Sequence, residues 1–93
     1  AGFFLRDSKA RQDVKETRKI IEVEAVRLAC SRMTNDQLKE LETFIQQSKE
    51  QWAEGKLPVD EDYLFHHTLV ASSHNRLLLN IWRPLVSYNK VAI

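Results

Sequence analysis

The sequence predicts an all-α protein, an antiparallel helical bundle with a short strand-like segment at its N-terminus, and three observations carry that expectation. Glycine and proline occur only twice each in 93 residues, too few to punctuate a turn-rich sandwich or barrel. Hydrophobic residues make up 43% of the chain, enough for a packed core and too many for a disordered segment. The apolar positions recur at helical spacing, in stretches bounded by residues that cap or break helices.

Residues 2–5, Gly-Phe-Phe-Leu, form a brief apolar run read as a strand, and the polar stretch 6–12 reads as a linker. The first helix is expected over residues 13–33. Val14, Ile21, Ala25 and Leu28 mark one apolar stripe, and Val23, Val26, Cys30 and Met33 mark a second. Two apolar faces predict neighbours on both sides and a central place in the bundle. Arg18 and Arg32 lie on the line of the first stripe. Thr34-Asn35-Asp36-Gln37 has the capping-box pattern, so a second helix is expected from there to about residue 52, with Leu38, Leu41, Ile45, Ser48 and Trp52 on one face. Gly55 is its stop and Pro58 a break. Asp60 is expected to cap a third helix over residues 61–72, and Asn75 a fourth that begins at Arg76. That last helix is apolar almost all round, through Leu77, Leu78, Leu79, Ile81, Trp82, Leu85 and Val86, and Pro84 should kink or end it. Such a helix needs partners, either further helices of a longer chain or a second copy. The absence of an initiator methionine also reads as a cut chain.

Composition narrows the function classes. Fourteen basic residues against 13 acidic ones leave a net charge of +1, no footprint for a nucleic-acid backbone. No run of about 20 apolar residues is present to span a membrane. The single cysteine, Cys30, excludes an internal disulfide, fits a reducing cytoplasm, and is expected as a small buried hydrophobe. Two glycines cannot build a phosphate-binding loop. Ser72, Ser73 and His74 are neighbours in sequence, and neighbours seldom form a nucleophile–base pair. Glu22 and Glu24 fall on different sides of the first helix and make no acid–base pair.

The most informative spacing is Asp62-Tyr63-Leu64-Phe65-His66, because positions i and i+4 lie one turn apart on a helix face. A carboxylate and an imidazole there make half a site for a divalent transition metal, or else a helix hydrogen bond. Phe65 and Leu69 flank the pair, so both side chains are expected to lean inward. His67 should face elsewhere, as a surface or interface histidine, and His74 should be exposed or part of a cap. Arg18 is either an arginine whose stem lies along the stripe or a guanidinium that pairs with a ligand carboxylate.

Taken together the residues resemble the C-terminal effector-binding domain, FCD, of the FadR subfamily of GntR-type bacterial transcription regulators. Glu16, Arg18, Ile21, Glu22, Ala25, Leu28 and Ala29 match the helix that opens that domain, and Arg32, Thr34, Asp36, Leu38 and Leu41 match the turn and second helix after it. Asp62, Phe65, His66 and Leu69 match its Asp-x-x-Phe-His-x-x-Leu pattern, and Ser73, Asn75, Leu77 and Leu78 match the stretch a little later. Ser72 stands where alanine is usual and His74 where glycine is common. Residues 1–12 resemble the end of a winged-helix DNA-binding domain and its linker, and residues 13–93 the first part of the helical domain.

The resemblance implies a homodimer that binds a small carboxylate effector, with DNA contacted through an N-terminal domain outside this chain. It implies that Asp62 and His66 are metal ligands, for a divalent transition metal of zinc, nickel or manganese type. The two further histidines of that ligand set map to nothing in this sequence. Two rival readings stand beside the sensor: a structural dimerisation bundle without metal or ligand, and a helical metalloenzyme, which would need more ligands and a base that the sequence does not offer.

Overall fold

A computed structural model of the chain describes residues 8–92, with side chains through residue 86. Four helices follow in order: α1 (Ser8–Arg32), α2 (Asn35–Ala53), α3 (Val59–Ala71) and α4 (Arg76–Ala92). The fold is all-helical among the described residues; the strand-like segment expected over residues 2–5 lies outside them. Helix α1 starts earlier than expected, so residues 8–12 are helical where a linker was predicted. Lys9, Ala10, Arg11 and Gln12 are good helix formers with nothing to stop them. Ala10 and Val14 carry the buried stripe back another turn, and Lys9 Nζ pairs with Asp13 at 2.6 Å.

The helix ends follow local chemistry. Thr34 Oγ1 accepts from the Gln37 amide at 3.1 Å, and Gln37 Oε1 accepts from the Thr34 amide at 3.0 Å, which is the predicted capping box. Helix α2 ends at Gly55, whose φ of 76° is the left-handed conformation glycine adopts without strain. The Gly55 amide donates to Trp52 and the Lys56 amide to Gln51, the paired bonds of a Schellman stop. Asn75 Oδ1 accepts from the amides of Leu77 and Leu78 and caps α4 as expected. Asp60 is not a cap: Pro58 takes the N-cap position of α3, and Asp60, Glu61 and Asp62 occupy its first turn, where the helix dipole favours negative charge. Pro84 does not end α4, which continues to Ala92. Pro84 and Asn80, four residues earlier, are both exposed, so the missing hydrogen bond falls on a side where water can serve the carbonyl.

Helix α3 packs against all three others, α1 packs also on α4, and α2 touches α3 alone. The centre of the arrangement is thus α3 and not α1, which corrects the expectation from α1's two stripes. The helices form a slab with extents of 40 × 35 × 15 Å and a radius of gyration of 14.3 Å, against about 12 Å for a compact chain of this length. Its core lies between α1, α3 and α4: Ile21 and Ala25 from the first stripe, Val70 from α3, and Trp82 and Val86 from α4, with Tyr63, Leu78, Leu79 and Leu85 packed around them. The second stripe of α1 stays open, with Val23 62% and Val26 40% exposed. Cys30 lies on that stripe and is exposed, contrary to the buried position expected of it.

Between α3 and α4 the chain turns on His74, whose φ of 55° is left-handed in a residue that carries a Cβ. This strain gives a physical reason for a glycine at such a position. His74→Gly is expected to raise stability by up to about 1 kcal/mol, the relief of a left-handed backbone reduced by glycine's greater unfolded-state freedom. The loss of the His74 Nε2 contact to Gln37 Oε1, 3.1 Å and exposed, subtracts little. Chemical denaturation measures it, and a clear loss of stability would mean that the histidine contact outweighs the strain.

Candidate functional site

Helix geometry sets Asp62, His66 and Leu69 in line on one face of α3. The His66 ring approaches Asp62 in two ways: Nδ1 lies 2.8 Å from the Asp62 backbone carbonyl and 3.5 Å from its Oδ1. A carbonyl oxygen only accepts, so the proton of the neutral ring sits on Nδ1 and the Nε2 lone pair is free. An imidazole oriented by a backbone carbonyl in this way is prepared for a metal. The inward lean expected of the pair is only half right: the His66 side chain is 28% exposed but that of Asp62 is 68% exposed. Among the described residues no group of three or more His, Cys, Asp or Glu converges on one point. The pair fits a transition metal by donor type and supplies two positions, where a tight site takes three or four.

Leu69, one turn beyond His66, helps line an open cleft of about 350 Å³ with Val26, Cys30, Met33 and Leu38. The second stripe of α1 is therefore one wall of a concave apolar surface. Its size falls in the range of small-molecule sites.

Arg18 pairs with Glu22, one turn along its own helix. Its Nε donates to Glu22 Oε2 at 3.0 Å, an ion pair with side chains 26% and 17% exposed. The same Glu22 oxygen accepts from Trp82 Nε1 at 2.7 Å. Trp82 is fully buried and stacks on Tyr63 at a centroid distance of 5.7 Å, with His67 edge-on at 6.0 Å. Sequence reasoning set Glu22 aside because it makes no pair with Glu24. The usable signal was Arg18 and Glu22 at i and i+4, and nothing in the sequence pointed onward to Trp82.

His67 is half-buried in this aromatic cluster, so it belongs to the α3–α4 packing and not to the surface. Burial first, and the Arg83 charge second, hold its pKa below the ordinary 6.5. The folded protein therefore binds this proton less readily than the unfolded chain does. That contribution to stability is complete above pH 6.5 and is lost as pH falls below it, through the lowered folded value. The melting temperature should decline over that range, and His67→Phe, which keeps a ring in place, should flatten the decline. An equal decline in the variant would assign the proton uptake elsewhere.

Ser72, Ser73 and Arg32 make structural hydrogen bonds. Ser72 and Ser73 are fully buried, and their hydroxyls donate to the Thr68 and Val70 carbonyls, each at 2.6 Å. Neither is placed as a nucleophile. Arg32 Nη1 reaches the Ser73 carbonyl at 3.1 Å and fastens the end of α1 to the α3–α4 turn. No helix among the described residues is long and apolar enough to cross a membrane.

The chain matches the FCD domain over residues 13–88. It is 38% identical over 89 residues to the Nta operon transcriptional regulator of Aminobacter aminovorans, an alignment that covers 90% of this chain and 41% of that protein. The chain thus spans about two fifths of the length of the curated relative it matches. No solved structure gives a significant match. The domain match and the regulator named in that alignment both point away from an enzyme. The match takes in all of α2 and α3 and most of α1 and α4, and the chain belongs to the FCD domain family.

Proposed function

We propose that this chain is the effector-sensing part of a GntR-type transcription regulator, in which Arg18 receives the carboxylate of a small organic acid and Asp62 and His66 hold a divalent transition metal of zinc, nickel or manganese type. The observation that carries the reading is His66 Nδ1 set 2.8 Å from the Asp62 carbonyl, which leaves Nε2 of the neutral ring for a metal, on the α3 face that also carries the cleft residue Leu69. Asp62 and His66 supply two donors, and the remaining positions would come from water, the effector or other residues of the intact protein. A bound metal supplies positive charge that draws a carboxylate, while the cleft accommodates the apolar part of the acid.

DNA is contacted by a separate domain in this reading, because a net charge of +1 gives this chain no attraction to a phosphate backbone. Two copies act as a homodimer, and effector binding shifts the placement of the DNA-binding parts by favouring one arrangement over another.

The test is thermal denaturation of the intact protein against small mono- and dicarboxylates, with and without zinc, nickel or manganese. A ligand at a hundredfold excess over its Kd stabilises by about 2.7 kcal/mol, which is several degrees in melting temperature. That rise should depend on metal and vanish in Arg18→Ala. A complete lack of response to every acid and metal would leave a structural dimerisation bundle in its place.

A further inference from the structure

We propose that Glu22 is the positioning residue of the carboxylate seat at Arg18, and that it ties the occupancy of that seat to the core residue Trp82. The proposal rests on the reading of Arg18 as the effector contact. A guanidinium on a flexible stem can point in many directions, and immobilising it costs entropy at the moment of binding. Here Glu22 Oε2 takes the Nε hydrogen of Arg18 at 3.0 Å. The two terminal nitrogens of Arg18 have no partner among the described residues. They form the edge that grips a carboxylate with two parallel hydrogen bonds. Glu22 thus occupies the side of the fork that a ligand does not need and leaves the bidentate edge available.

The same oxygen is fixed from the other direction. Trp82 Nε1 donates to it at 2.7 Å across 60 residues of sequence, and Trp82 is 0% exposed. Glu22 is therefore held against α4 by a side chain that cannot move without opening the core. A carboxylate arriving at Arg18 competes with Glu22 for the guanidinium's charge, and Trp82, as Glu22's other donor, registers the change. Tyr63 and His67, packed on the Trp82 ring, neighbour Asp62 and His66 in sequence on α3. The seat and the metal pair are in this way joined through one packed aromatic cluster.

Two substitutions at Glu22 separate positioning from charge. In Glu22→Gln the amide oxygen still accepts from Arg18 and Trp82, while the charge that neutralises the guanidinium is gone. In Glu22→Ala both bonds are gone and the guanidinium is released. With succinate as the probe, titrated into the intact protein by calorimetry, Glu22→Gln should bind roughly tenfold more tightly than wild type and Glu22→Ala roughly tenfold more weakly. The indole N–H resonance of Trp82 should shift with succinate in wild type and stay still in Glu22→Ala. That of Trp52, 67% exposed on α2, serves as the internal control.

Tighter binding in both variants would show that only the charge matters, and weaker binding in both would show a structural role; each overturns the positioning role. Arg18→Ala binding succinate like wild type would instead overturn the reading of Arg18 itself, and no binding by wild type of succinate or any other small mono- or dicarboxylate, with metal present, would overturn both together. Should Glu22→Ala fail to fold, Trp82→Phe removes the indole donor while keeping a ring in the core, and should weaken succinate several-fold. Unchanged affinity there overturns the link to Trp82.

Discussion

Trp82→Ala is expected to cost about 3–5 kcal/mol, the range for removing a large buried aromatic side chain. Trp82 is the largest fully buried residue and lies where α1, α3 and α4 meet, with Ile21, Ala25, Val70 and Val86 around it. The truncation opens a cavity there and also takes one donor from Glu22. Domains hold only about 5–15 kcal/mol in all, so the variant should be largely unfolded at modest denaturant concentrations. Trp82→Phe, which keeps a ring but loses the indole N–H, should cost about 1–3 kcal/mol. Urea unfolding followed by circular dichroism measures both. A loss under about 1 kcal/mol for the alanine variant would show that the folding core is centred elsewhere.

His66→Ala is expected to lower the affinity of the intact protein for zinc or nickel by at least about 100-fold, since even the partners that orient a ligand are worth 10–100-fold. The cost in stability should be small, because among the described residues the hydrogen-bond partner of His66 is Asp62 within its own helix turn, beside an edge-on ring contact with its neighbour Phe65. Asp62→Asn should weaken the metal as well, since it removes a negative charge while leaving the backbone carbonyl that orients the histidine. Elemental analysis and metal titration read the result. Unchanged metal content in both variants would remove Asp62 and His66 from the site and leave them as a helix hydrogen bond.

The parts of this fold legible in the sequence are those whose causes lie within a few residues. Thr34 and Gln37 cap each other across three positions, Gly55 takes a conformation that no other residue adopts as cheaply, and Asn75 serves amides two and three residues ahead. Asp62 and His66 were visible for the same reason, as one helical turn brings them together whatever surrounds the helix. The misread positions depend on neighbours far along the chain. Cys30 and Val23 look like core residues on a helical wheel and are exposed, because no described helix packs on that side of α1. His67 is as polar in sequence as His66, yet only His67 packs against both Tyr63 and Trp82.

Four helices, the caps at Thr34 and Asn75, the stop at Gly55, one buried stripe on α1 and the Asp62–His66 pair on α3 were settled by the chain's local chemistry. Local propensity, helical periodicity and capping hydrogen bonds all act within a turn or two. Packing alone decided that α3 is the centre, that the second stripe of α1 walls a cleft, and that Glu22 joins Arg18 to Trp82. The physical reason is that an apolar stripe specifies burial without naming what buries it. A carboxylate on a helix likewise names no donor until packing brings one 60 residues away to within 2.7 Å.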